Sequence, residues 1–230
     1  MEFQSKSFQS LLQIANDNTI SGAGKEYWEE SGDDPPKTLF KNPATAQEIA
    51  TLEDRLGIAL PNDYKEFLAI SNGFGSGHLE DGIYNGYYPE PELFSVDKVN
   101  WNSEPYFQLP IDLLELPYEI IGLASSFPDF DRVLEIGVRD VENTWLVRPE
   151  LVERARVAYM EMYEKADDQQ KKIIERAIEE FVGSKEAFEK LEWCCVRWSA
   201  GGAAAMRGHA GFRRYVEHVV KQGTEDRGKP

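Results

Sequence analysis

The stretch from Asn42 to Gly73 constrains the fold most, because helix start and stop signals occur there twice in close succession. Thr45-Ala-Gln-Glu48 has the spacing of a capping box: the threonine hydroxyl can accept from the Glu48 amide while the Glu48 carboxylate reaches back to the Thr45 amide. A helix is predicted to start there, with Ile49, Leu52 and Leu56 as its apolar stripe and Gly57 as the left-handed residue that ends it. The grammar then repeats. Leu60-Pro61 suits a first helical turn, Tyr64, Phe67, Leu68 and Ser71 share one face, and Asn72-Gly73 is a stop. Two short helices are therefore expected to form a hairpin. Thr45, Glu48, Leu60, Pro61, Tyr64, Asn72 and Gly73 are read as structural, since capping and packing already explain them.

Around this hairpin the texture changes three times. Phe8, Leu11, Leu12 and Ala15 make a short helical stripe that the polar run Asn16 to Gly24 interrupts, and the turn-rich Ser31-Gly-Asp-Asp-Pro-Pro36 follows. Residues 1–36 thus read as an N-terminal arm, partly helical or flexible, ahead of a single domain at 37–222. From Phe74 to Pro149, aromatic and β-branched segments alternate with turn residues, and Glu92 to Val99, Tyr118 to Ala124, Val133 to Val138 and Thr144 to Val147 are expected strands. After Pro149 helical periodicity returns in two stripes. Leu151, Ala155, Tyr159, Met162, Tyr163 and Ala166 form one, and Ile173, Ile174, Ala177, Ile178 and Phe181 the other, with a cap at Asp167-Asp168 between them. Trp193 to Trp198 reads as a strand, Gly201 to Gly211 as a small-residue loop, and Phe212 to Val220 as a closing helix with Tyr215, Val216 and Val219 inward. Residues 223–230 read as a disordered tail. The fold class is α+β, an antiparallel-rich sheet flanked by helices.

Charge narrows the partners. The chain carries −16, and residues 76–150 hold 15 acidic against 4 basic side chains, a net of −11. That field repels nucleic-acid phosphates and anionic lipid head groups and steers a basic protein surface toward it, although solvated carboxylates also serve solubility. Within the acidic third, Tyr84, Tyr87 and Tyr88 stand among Glu80, Asp81, Glu90 and Glu92. Rings with carboxylates compose a recognition loop, and tyrosines also fill cores, so both readings fit. Asp129 and Asp131, spaced around Phe130, read as turn chemistry and as further partner-binding candidates; no third ligand accompanies them for a cation site.

Catalytic chemistry finds no constellation. His78, His209 and His218 are scattered, and no pair has metal-binding or triad spacing. Gly73-Phe-Gly-Ser-Gly77 follows a helix and precedes Glu80 and Asp81, which suits a flexible turn and not a phosphate cradle. The two cysteines, Cys194 and Cys195, are adjacent, which rules out a disulfide framework and makes a metal cluster implausible; burial as small apolar residues in a reduced compartment fits them. No cofactor is called for. The absence of a membrane-length apolar run and of a signal-like start leads to a cytoplasmic expectation. A hydrolase using Asp129, Asp131 or His78 is the alternative from another class.

The pattern from Asn42 to Gly73, an I-x-x-L-E-x-x-L-G helix followed by L-P-x-D/N-Y and S-N-G, resembles the opening of the SUKH superfamily. That family includes fungal cell-wall-synthesis regulators of the SMI/KNR type and bacterial immunity proteins against polymorphic toxins. The resemblance implies a non-enzymatic binding module with an α+β fold, no catalytic residues, and a protein partner. The helical hairpin at about 150–191 looks like an insertion into such a domain, more in keeping with fungal members, and it counts against the immunity alternative.

Overall fold

A computed structural model describes residues 3, 5–22, 24–25, 28–29, 32, 34–75, 92–103, 111–139, 142–199 and 205–225. Eight helices are described: α1 (Phe8–Ser21), α2 (Ala46–Leu56), α3 (Asn62–Ile70), α4 (Tyr118–Ile121), α5 (Pro149–Lys165), α6 (Asp168–Val182), α7 (Lys185–Glu189) and α8 (Phe212–Glu225). Five strands, β1 (Asn100–Asn102), β2 (Val133–Arg139), β3 (Glu142–Val147), β4 (Cys194–Ser199) and β5 (Ala205–His209), form one sheet in sequence order. The β1–β2 and β4–β5 pairs are antiparallel, with Trp101 opposite Leu134 and Arg197 opposite Arg207. The fold is α+β. Two compact units share the chain, and their division falls within β2 and β3: residues 1–99, 136–143 and 212–230 make one, 100–135 and 144–211 the other.

In the first unit the α2–α3 hairpin forms as its signals require. The Thr45 hydroxyl accepts from Glu48 N at 3.2 Å, Glu48 Oε2 accepts from Thr45 N at 2.7 Å, and Gly57 ends α2 at φ +70°. Glu53 Oε1 accepts from Leu60 N at 2.7 Å and from Lys65 Nζ at 3.2 Å, which ties the turn to both helices. Asn72 Oδ1 accepts from Val96 N at 2.8 Å. Gly73, at φ +92°, lies so close to the backbone of Leu93 and Ser95 that a Cβ there would sit 3.0 Å from each.

Thr45→Ala is expected to cost about 0.5–2 kcal/mol in urea denaturation. The Glu48 carboxyl is held below its ordinary value, first by the Thr45 amide and then by the Thr45 hydroxyl. A carboxylate lowered in the folded state adds stability above the ordinary glutamate range and loses it as pH falls through the lowered value. Titration of Glu48 by NMR should show it rising part of the way back in Thr45→Ala.

Helix α1 continues to Ser21, past the polar run expected to interrupt it. Two of the polar residues there, Asn16 and Asn18, bond to other parts of the unit and so do not compete with the helix. Asn16 Oδ1 accepts from Leu39 N at 2.8 Å, and Asn18 Nδ2 donates to Val220 O at 3.5 Å. Phe8, Leu11, Leu12 and Ala15 are buried, and α1 packs on α8. Helix α8 runs to Glu225, beyond Gly223, where a tail was expected to begin; Gly223 is buried beneath Asn18. Tyr215 and Val216 are buried as expected, and Val220 rather than Val219 joins them.

The second unit has its own core of Phe130, Trp145, Tyr159, Phe188 and surrounding aliphatics. Asp167 caps α6 by accepting from Gln169 N and Gln170 N, both at 2.9 Å, and Gly183 ends it at φ +98°. Leu151, Ala155, Tyr159, Met162 and Ala166 are buried as their stripe predicts, as are Ile174 and Ile178. Ile173, expected inward, is 37% exposed, because the residue before a buried one lies about 100° around the helix.

Three strand and loop expectations differ from the structure. Tyr118 to Ala124 is not a strand: Pro117 presets a turn whose carbonyl accepts from Ile120 N at 2.8 Å and Ile121 N at 3.1 Å, and α4 results. In Glu92 to Val99 only Leu93 makes bridges, to Phe74 and Gly137, before a turn in which Lys98 N donates to Ser95 O at 2.9 Å. The glycine- and alanine-rich segment expected to be a loop contains β5, where Gly208 admits Leu113 so closely that a Cβ would lie 2.7 Å from the Leu113 carbonyl oxygen.

Candidate functional site

Glu80, Asp81, Tyr84, Tyr87, Tyr88, Glu90 and His78 lie outside the described residues. Asp129 and Asp131 are described, and their placement follows from strand-like alternation. Phe130 between them is buried, with its ring 5.7 Å from Trp145, so both carboxylates turn outward. Asp131 Oδ2 accepts from Arg148 at 2.7 Å and lies 3.9 Å from Arg154. Asp129 makes no ion pair among the described residues. The two neighbouring carboxylates therefore differ among the described residues: Asp131 faces two guanidinium groups and Asp129 faces none.

The cysteines are buried in β4, and burial pushes the Cys194 thiol well up, so it stays a neutral, packed side chain. Among the described residues no group of three or more His, Cys, Asp or Glu could hold a metal ion, and no helix is long and apolar enough to cross a membrane.

A concave feature that sequence reasoning missed lies in the second unit between α5, α6 and α7. It encloses about 300 Å³, with Tyr159, Met160, Tyr163 and Ile178 as apolar walls. Its floor is held rigidly from behind. The Tyr159 hydroxyl accepts from Leu113 N at 2.6 Å and Leu114 N at 3.0 Å and donates to Asp112 Oδ1 at 3.0 Å. Burial, with the Asp112 charge beside it, holds the Tyr159 hydroxyl well above its ordinary pKa, so it remains a donor. Tyr163 is fixed in turn: its hydroxyl donates to the Glu175 carboxylate, and the Lys171 and Lys185 ammonium groups lie 5.6 and 5.3 Å from its ring centroid. The sequence signals here were the Tyr159–Tyr163 spacing and the Gly183-Ser184 break after α6, which mark helices and their ends but not a gap between them.

Comparison with known proteins bears on part of the chain. The model of the SMI1 / KNR4 family (SUKH-1) matches residues 43–145. An uncharacterized protein, YnaB of Bacillus subtilis (strain 168), is 52% identical over 136 residues, an alignment that covers 50% of this chain and 90% of that protein. No solved structure matches the chain. With a bacterial relative of this similarity, the fungal expectation has no support. A relative covered over nine-tenths of its length at this identity, together with the matched family model and the cap-and-stop pattern of α2 and α3, places the chain: it belongs to the SMI1 / KNR4 family (SUKH-1).

Proposed function

We propose that the chain is a non-enzymatic, cytoplasmic protein-interaction domain that docks a basic surface of another protein through its acidic, tyrosine-bearing segment. The charge pattern carries this reading: residues 76–150 hold 15 acidic and 4 basic side chains in a chain of net −16. Glu80, Asp81 and Glu90 flank Tyr84, Tyr87 and Tyr88 in that third. Carboxylates steer a cationic partner and set its orientation, while rings contribute contact area at low entropic cost. The exposed carboxylate of Asp129 has the same character. Family membership supports the reading, because SUKH domains typically bind protein partners.

Replacing Tyr84, Tyr87 and Tyr88 together by alanine is expected to weaken a co-purified partner at least ~10-fold in calorimetric titration, with the remaining affinity still falling as salt rises. The same partners held at the same strength by the variant would show that this segment does not bind them.

The bacterial relative favours a second reading, a toxin-immunity protein that neutralises a basic toxin. A toxin gene beside the chain's own gene, with growth rescued on co-expression, would separate it from a regulatory role in cell-wall assembly or signalling.

A further inference from the structure

Helix α1 is fastened to the first unit unevenly, and the change falls midway along it. Phe8, Leu11, Leu12 and Ala15 in its first half are buried, and the Phe8 ring meets Phe212 edge-on at 5.9 Å. The Arg213 guanidinium lies 5.7 Å from the centre of the Phe8 ring and donates to Lys6 O just ahead of the helix. Asn16 closes this half by accepting from Leu39 N at 2.8 Å. Beyond Asn16 the fit is poorer. Asn18 and Thr19 are 2% and 0% exposed, yet Asn18 Oδ1 and Thr19 Oγ1 have no hydrogen-bond partner among the described residues. A buried oxygen left unpaired keeps its desolvation cost with no bond to offset it.

The Asn18 amide reaches Val220 O and the Thr224 hydroxyl only at 3.5 Å, longer than an ordinary N–H···O bond, and those two groups already bond to each other at 2.8 Å. Asp17, Asn18, Thr19 and Ser21 are also weak helix formers. Within the segment, by contrast, the bonds are short. Gly22 N donates to Asp17 O at 2.9 Å, Gly24 N donates to Asn18 O at 3.0 Å, and the buried Trp28 donates through Nε1 to Thr19 O at 2.9 Å. The end of α1 is thus tied well to itself and weakly to α8. From this asymmetry we infer that Asp17 to Gly22, with the Trp28 ring bonded to them, form a displaceable cover that lifts as one body from the last turn of α8 while Phe8 to Asn16 stay docked. Lifting it bares Gly223, which lies so close beneath Asn18 that a Cβ there would sit 2.9 Å from the Asn18 amide nitrogen, while the rest of the first unit stays folded. Segments that open in this way belong to the low-stability end of a fold, where regulated surfaces are found.

Native-state hydrogen exchange of the full chain, followed by NMR, tests this. The amides of Ile20, Ser21 and Gly22 and the Trp28 indole proton should share one protection factor, at least ~100-fold below that of Leu12, Gln13 and Ile14. Equal protection along the whole of α1 overturns the inference. So does an indole proton protected as strongly as Leu12, because Trp28 would then stay behind when the helix end opens. Thr19→Val keeps the side-chain shape and removes the unpaired oxygen, so it should raise the shared protection about 10-fold and leave Leu12 to Ile14 unchanged. Thr19→Ser retains the oxygen and should not raise it. Shared protection that is unchanged or lower in Thr19→Val, or that rises as much in Thr19→Ser, means that the unpaired oxygen does not loosen the cover and overturns the proposed device.

Discussion

Phe212→Ala is expected to lower the stability of the full chain by about 3–5 kcal/mol, the usual cost of emptying a large aromatic site in a core that relaxes only partly. Phe212 is fully buried at the start of α8, and its ring meets four others. Tyr64 lies 5.0 Å away and Phe8 5.9 Å, both edge-on, with Phe67 at 5.1 Å and Tyr215 at 5.9 Å in tilted arrangements. Such pairs add about 0.5–1.5 kcal/mol each beyond the area they bury. Two helices besides α8 contribute rings to the cluster, so one truncation loosens α1, α3 and α8 together. Urea denaturation of Phe212→Ala and of Phe212→Leu separates volume from ring geometry: leucine should recover more than half of the loss. A loss below about 1 kcal/mol for the alanine variant would mean that the cluster does not hold the unit.

Trp145→Ala should produce a loss of similar size, about 3–5 kcal/mol, in the second unit. Trp145 is 1% exposed on β3, stacked on Trp198 of β4 at 5.5 Å and 16°, with Phe130 edge-on at 5.7 Å. The cavity left behind would sit directly beneath Phe130, the residue that turns Asp129 and Asp131 outward. The variant should therefore weaken the Asp131–Arg148 ion pair as well, visible as faster solvent exchange of the Arg148 guanidinium protons in NMR. Trp145→Phe, which keeps a ring against Trp198, should lose about half as much. If Trp145→Ala unfolds at the wild-type urea midpoint, the stack contributes nothing to stability.

What could be read from the sequence follows from the range of the interactions involved. Thr45, Glu48 and Gly57, and likewise Asp167 and Gly183, act within one helical turn, and their residue types alone fix where α2 and α6 begin and end. The strand of β5 was not legible for the opposite reason. Ala205 to His209 has no apolar alternation, and its pairing with Cys195 to Ser199 and the fit of Leu113 over Gly208 are set by distant chain. Tyr118 to Ala124 has β-favouring residues, yet Pro117 and its carbonyl turned it into a helix, a local signal that outweighed propensity. The end of α1 was missed because Asn16 and Asn18 find their partners on residues far along the chain. The hollow in the second unit was invisible for a related reason. Periodicity shows which side chains face inward, but whether three helices fill the space between them depends on the packing of Tyr159, Met160, Tyr163 and Ile178 together.

One bond in the hairpin also bears on how the protein is made. Asp63 Oδ2, in the turn that opens α3, accepts from Arg213 N at 2.9 Å across 150 residues of sequence. It satisfies an amide in the first turn of α8, a donor with no partner inside its own helix. A ribosome adding about 5–20 residues per second needs roughly 8–30 s to travel from one to the other. Throughout that interval the Tyr64 and Phe67 rings lack the Phe212 ring that covers them. The family's most recognisable segment is thus synthesised early and completed late, and in that window its exposed apolar face is open to chaperones.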